Sequence, residues 1–276
     1  NKDTSFFLYL PLTVPHLALQ VPEDEPSLDI YKQVIPDTPY IGDKGYLPNP
    51  YPHAAYAAMI TRMDREIGRI IELLKSLGLD QNTVVFFTSD NGPTYDRIGG
   101  SDSEYFESNK PFSGLKGSVH EGGIRVPLVV WWPGEINPGI VSDHIAAFQD
   151  VLPTLIELSN VGPPAETDGI SFLPALRQKE QPEHEYLYWE FPAYGGQQAV
   201  RMGKWKAIRK NLKEDPVAPI ELYDLESDIA EKYNVADQHE DIILRMEAIF
   251  KYARIPSDTF SFPALDRIFD KRNLQD

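Results

Sequence analysis

The sequence predicts an α/β fold, a sheet flanked by helices, followed by a smaller α+β domain of antiparallel sheet plus helix. Three observations carry this. An amphipathic pattern over residues 54–77 reads as a long helix. It leads into an apolar run at residues 83–88, rich in β-branched and aromatic residues, that reads as a strand buried on both faces. Beyond a polar stretch near residues 177–182, short strands alternate with turns and give way to one more helix. A boundary in that stretch divides the chain into residues 1–180 and 181–276.

Residues 5–12 (SFFLYLPL) read as a first strand, ended by Pro11 and Pro15, with His16 in the loop beyond it. Residues 20–52 are rich in Pro, Asp, Gly and Tyr and show no sustained period, so they read as a long loop. Such a loop either lines a site or merely connects elements. In residues 54–77, Met59, Met63, Ile67, Ile70, Leu74 and Leu77 recur at three- and four-residue steps, and Gly78 supplies a stop. The opposite face carries Arg62, Arg65 and Glu66 and reads as solvated. A helix followed by the 83–88 strand is one limb of a parallel βαβ unit.

The strand breaks at Asp90-Asn91-Gly92. Ligands of open α/β sheets sit beyond the carboxyl ends of strands. Asp90 and Asn91 both offer hard oxygen donors of the kind Ca²⁺ and Mg²⁺ prefer. A polar loop through Arg97 to Asn109 is expected to cover the site, with Arg97 itself an exposed loop residue. Then comes a glycine-rich loop, Gly114-Leu115-Lys116-Gly117-Ser118-Val119-His120-Glu121-Gly122-Gly123, ahead of a second apolar run at residues 126–132. Glycines on both sides of Lys116 let backbone and ammonium approach a ligand closely. Residues 150–158 read as a short helix, with Asp150 as its N-cap and Pro153 in the first turn. Residues 186–191, 198–201, 205–209 and 221–225 read as strands, with a hairpin turn at Met202-Gly203, and residues 240–252 as the closing helix. Gln197 and Gln198, after Gly195-Gly196, are candidates to face the cleft, while His120 and Glu121 read as loop-shaping residues, Glu121 by holding local backbone or by pairing with Arg125.

Composition narrows the classes of function. With 276 residues the chain can bury a sizeable core. A net charge of −16 excludes a nucleic-acid partner, which needs a basic footprint. No apolar run is long enough to span a membrane. There is no cysteine, hence no disulfide and no thiolate metal site within the chain. The first residues, NKDTSFFLYL, lack signal-peptide architecture and run almost directly into an apolar segment, as expected of a sequence that starts inside a domain.

Three segments together resemble the sulfatase family, the arylsulfatase-like branch of the alkaline phosphatase superfamily. They are Thr13-Val14-Pro15-His16, the SDNGP turn that begins at Ser89, and the K-G-x-x-x-E-G-G-x-R-x-P pattern from Lys116 to Pro127. The resemblance implies an alkaline-phosphatase-like sheet, incomplete at the N-terminus. It implies a Ca²⁺ ion held by Asp90 and Asn91, with Mg²⁺ the second choice. It implies Lys116 contacting the sulfate, and His16 binding sulfate and protonating the leaving oxygen. Both are candidate catalytic and substrate-binding residues. The family's nucleophile is a formylglycine made from the Cys or Ser of C-x-P-x-R or S-x-P-x-R. One hydroxyl of its hydrate attacks sulfur, and the other later expels sulfate. This sequence has neither motif, nor the N-terminal aspartate pair that completes the family's metal site. The chain therefore reads as the rear part of a truncated sulfatase. The resemblance also implies a secreted or periplasmic protein whose partners are sulfated carbohydrates or aryl sulfate esters.

Other enzyme classes lack their marks: there is no G-x-S-x-G, no H-E-x-x-H and no Walker A order. Two alternatives stay open. One is a phosphatase or phosphonate hydrolase of the same superfamily. The other is a sulfate-binding remnant that does no chemistry.

Overall fold

The computed structural model describes residues 3–94, 97–162 and 166–268. The chain forms two compact units. The first gathers residues 1–89, 93–108 and 127–138, and the second gathers 90–92, 109–126 and 139–276.

In the first unit, α1 (Pro26–Val34) packs beside α2 (Pro52–Ser76). The region expected to be featureless loop thus contains a helix. Pro26 presets its first turn, and the carboxylate of Glu25 accepts the Ser27 N–H at 3.3 Å. Glu25 is buried and is also gripped from α2. Arg65 donates to both of its oxygens, at 3.0 and 2.5 Å, and Arg62 to one, at 3.2 Å. The charged face of α2 is therefore only partly a solvated one. The α2 N-terminus has no cap from Tyr51; instead the Asp37 carboxylate takes the N–H groups of His53 (2.7 Å) and Ala54 (3.0 Å). Gly78 follows the helix at φ +68°, the left-handed stop its position predicts.

The sheet of this unit has two described strands, β1 (Val85–Thr88) and β2 (Leu128–Trp131). They pair antiparallel, Val85 opposite Trp131 and Thr88 opposite Leu128. Three expectations need correction here. The partner of β1 is not parallel. The strand is not buried on both faces, since Phe87 and Thr88 are exposed. Residues 5–12 form no strand, and Phe7 and Tyr9 are each 76% exposed. Apolar composition supplies strand propensity, but a strand exists only where a neighbour takes its N–H and C=O groups.

The second unit is built on a four-stranded antiparallel sheet: β3 (Leu187–Phe191), β4 (Gln197–Met202), β5 (Trp205–Lys210) and β6 (Glu221–Asp224), in that order. Each observed strand lies within one residue of its predicted bounds. Gly203 at φ +57° and Lys204 form the tight turn that sets the β4–β5 register, Met202 opposite Trp205. Period-two alternation splits the strand residues between two faces. Val200, Met202, Ala207 and Leu222 pack on one face against Ile242, Met246 and Phe250 of α6 (Glu240–Tyr252). Ala199, Ile208 and Tyr223 line the other, where Val119 of the glycine-rich loop is buried. The sheet is thus covered by a helix on one side and by the Lys116 loop on the other.

Between these lies α4 (Val151–Ser159). Asp150 precedes it but does not cap it. Its buried carboxylate turns back to accept from Ala147 N (2.7 Å), Ile170 N (2.8 Å) and the His184 ring (2.8 Å). Through Ile170 it pins the segment that follows residue 168. Short helices α5 (Leu173–Leu176) and α7 (Pro263–Asp266) complete the unit, together with α3, which belongs to the site.

Candidate functional site

The site is best built outward from the glycine-rich loop. Residues 113–120 make tight turns, and α3 (Glu121–Ile124) closes the loop. Gly117 sits at φ +84°, a conformation L side chains seldom adopt, directly after Lys116. Lys116 is half-buried, and among the described residues its ammonium has no hydrogen bond or ion pair.

Every other cation near the loop is engaged. Buried Glu121 receives Lys206 Nζ at 2.7 Å and Arg201 Nη1 at 3.1 Å, with Arg125 Nη1 at 3.6 Å. The expected Glu121–Arg125 pair is present as the longest of the three. Burial pushes the Glu121 carboxyl up, but the Lys206 charge and hydrogen bond, with Arg201 and Arg125, outweigh it and hold the group below the usual carboxylate range. The Glu121 N–H donates to Glu231 Oε2 at 2.8 Å, and the other Glu231 oxygen lies 3.3 Å from His120 Nδ1. The Glu121 N–H bond therefore ties the end of the loop to Glu231, and His120 lies beside that carboxylate without a hydrogen bond to it. Gln197 and Gln198 do not face a cleft. Both are buried; Gln198 donates to Tyr188 Oη at 2.7 Å, and Gln197 reaches under the Lys116 loop.

Asp90 and Asn91 belong to the same unit. Gly92 N donates to Gly123 O at 3.0 Å, so the turn after β1 docks on α3. Only glycine fits at position 92, because a Cβ there would overlap the Gly122 carbonyl. Asp90 is exposed. The Asn91 amide nitrogen donates to Gly92 O at 2.8 Å, which fixes the end of the side chain that carries oxygen. These oxygen donors suit a hard divalent cation, although Ca²⁺ takes six to eight ligands and this pair supplies only some of them. Among the described residues no group of three His, Cys, Asp or Glu side chains converges on a metal position. His16 lies in the first unit, exposed, in a turn closed by its own N–H to Thr13 O at 2.8 Å. Its Nδ1 faces Leu17 O at 2.8 Å, and a carbonyl only accepts, so Nδ1 carries the proton and Nε2 points away for other work.

The structure therefore brings Asp90, Asn91 and Lys116 into one unit. The Glu121–Lys206 and Gln197 contacts bridge about 80 residues of sequence. Their one legible sign is a lysine set among the apolar residues Trp205, Ala207 and Ile208.

Comparison with known proteins matches this architecture. The Sulfatase family model covers residues 1–161, and the model described as N-sulphoglucosamine sulphohydrolase, C-terminal, covers residues 115–253. A steryl-sulfatase of Mus musculus is 38% identical over 161 residues, 57% of this chain and 26% of that protein. An uncharacterized sulfatase of Schizosaccharomyces pombe is 29% identical over 88% of this chain and 56% of its own length. A crystal structure of Ps i-CgsB in complex with k-i-k-neocarrahexaose superposes with a TM-score of 0.68 at 25% identity, covering 95% of this chain and 53% of that one. The chain thus spans from about a quarter to just over half the length of these relatives. With the Sulfatase model matching more than half of its residues and the alkaline-phosphatase-like fold shared with sulfatase structures, the chain belongs to the sulfatase family.

Proposed function

We propose that the intact protein is a sulfuric ester hydrolase that removes sulfate from sulfated carbohydrates, with aryl sulfates as surrogate substrates. The observation that carries this reading is the state of the loop cations. Glu121 absorbs Lys206, Arg201 and Arg125, and Lys116 is left unpaired among the described residues, on a loop that docks against the Asp90-Asn91 turn. A compact ammonium in a half-buried loop suits a sulfuryl oxygen that gains charge during hydrolysis. His16 has its Nδ1 proton held by Leu17 O, so in the imidazolium form Nε2 is the atom that would pass its proton to the leaving oxygen, returning the ring to the neutral Nδ1–H tautomer. Asp90 and Asn91 would help hold a Ca²⁺ ion, which when bound polarises the sulfuryl group. The nucleophile, a formylglycine in this reading, lies outside this sequence, and the protein works in the periplasm or outside the cell. The carbohydrate assignment draws support from the i-CgsB relative, whose structure is in complex with k-i-k-neocarrahexaose.

The test is sulfate release from an aryl sulfate and from a panel of sulfated saccharides by the intact protein. Lys116→Ala and His16→Ala should each lower kcat/KM by about 10²–10⁴-fold. Wild-type rates in both variants would refute the site. A larger kcat/KM for the matching aryl phosphate would favour the phosphatase reading instead.

A further inference from the structure

We propose that Gln197 is a positioning residue for Lys116, acting through the backbone of the glycine-rich loop. The inference rests on the reading of Lys116 as the sulfate-binding cation. Gln197 opens β4 and is 7% exposed. Its carboxamide extends to the loop and makes two bonds there. Nε2 donates to Gly117 O at 2.8 Å, and Oε1 accepts from Val119 N at 3.3 Å. These bonds bracket Ser118 and begin at the residue directly after Lys116. They hold two successive peptide planes, and so the direction in which the Lys116 side chain leaves the loop. Among the described residues neither Gly117 O nor Val119 N has another partner.

The chemistry of the position explains the residue type. The loop offers one acceptor and one donor, and an amide answers both. A carboxylate would set its charge against Gly117 O, and an apolar side chain would leave the buried Val119 donor and the half-buried Gly117 acceptor unmet. Support for the loop from below is already firm. Val119 packs on the sheet face with Ala199 and Ile208, and α3 is anchored through Glu121. Loss of the amide is therefore expected to loosen the turn at 117–119 without unfolding the unit. A lysine displaced by an ångström is enough to lose much of its effect on a developing charge.

The experiment is a double-mutant cycle in the intact protein with an aryl sulfate as substrate and inorganic sulfate as competing ligand. Gln197→Leu should lower kcat/KM by about 10–100-fold, weaken inhibition by inorganic sulfate in parallel, and speed hydrogen exchange at the Val119 amide. In the Lys116→Ala background the same change should cost nothing further, because its effect passes through Lys116. Gln197→Glu, which keeps the acceptor but sets a charge against Gly117 O, should be no better than Gln197→Leu. An undiminished kcat/KM in Gln197→Leu would overturn the proposal, and so would a loss that is fully additive with Lys116→Ala. If Lys116→Ala hydrolyses at the wild-type rate, the sulfatase site assignment fails and takes the positioning role with it. If Lys116→Ala is inactive while Gln197→Leu is normal, only the positioning role fails.

Discussion

Glu121 and Lys206 form an unequal pair, and the inequality predicts what each substitution does. Lys206 is fully buried, and among the described residues Glu121 is its only hydrogen-bonding partner, with the Trp189 ring 5.3 Å away. Glu121 has Arg201 and Arg125 in reserve. A buried charge that loses its counter-ion costs about 3–5 kcal/mol, whereas a charge that keeps other partners costs less. Glu121→Gln should therefore destabilise the second unit by about 3–5 kcal/mol, and Lys206→Met by only about 1–3 kcal/mol. Urea unfolding curves of the two variants check this. The reverse order would mean that Arg201 and Arg125 do not compensate Glu121 and that Lys206 is its dominant partner.

At the scale of elements, the Asp90-Asn91-Gly92 turn and α3 behave as one piece. Gly92 is not in a left-handed conformation; its requirement is space, because the Gly122 carbonyl stands where a Cβ would go. Gly92→Ala should push the Asp90-Asn91 turn off α3. The proposed Ca²⁺ ligands then move while both their side chains remain. Bound Ca²⁺ in the intact protein should fall well below one equivalent in Gly92→Ala, as it should in Asp90→Ala. Full Ca²⁺ occupancy in both variants, measured by elemental analysis, would remove these residues from the metal site. The same elements show what the sequence could reveal. Strands β3 to β6 were readable because alternation and the Gly203 turn are local signals, as was α6 from its period. The turn at Asp90-Asn91-Gly92 and the glycine-rich loop around Lys116 are legible as turns from their glycines. Residues 5–12 were misread because propensity names no partner. Helix α1 was missed because its nine residues are too few to show a period, and its stability comes from Glu25 and two arginines about 40 residues away. Gln197 was legible only as a polar residue after two glycines. Its contact with the loop depends on the packing of Val119 against the sheet, which no local pattern encodes.

For the whole molecule, net charge and the buried carboxylates act in opposite directions as pH falls. An excess of 16 negative charges repels itself at neutral pH, and protonation of ordinary exposed acids and histidines relieves that repulsion. The buried acids are different. Glu25 is held below the usual range chiefly by the Arg65 hydrogen bonds, helped by Ser27 and Arg62 against the effect of burial. Glu121 is also held low, its burial outweighed by Lys206 and the two arginines. A carboxyl whose pKa is lower folded than unfolded contributes stability that is complete above the unfolded value, about 4.3 for Glu. That contribution is lost as pH falls through the folded value. Thermal unfolding from pH 8 to pH 2.5 should therefore show a midpoint that rises or holds down to about pH 5, then falls steeply below about pH 4, where the unfolded chain takes up protons at these two carboxyls that the folded state refuses. Glu25→Gln and Glu121→Gln should each flatten the acid limb, since the lost carboxylate can no longer be titrated, while lowering the midpoint at pH 7. A variant that lowers the midpoint equally at every pH, with the acid limb unchanged, would show that its carboxylate contributes by packing and not by charge.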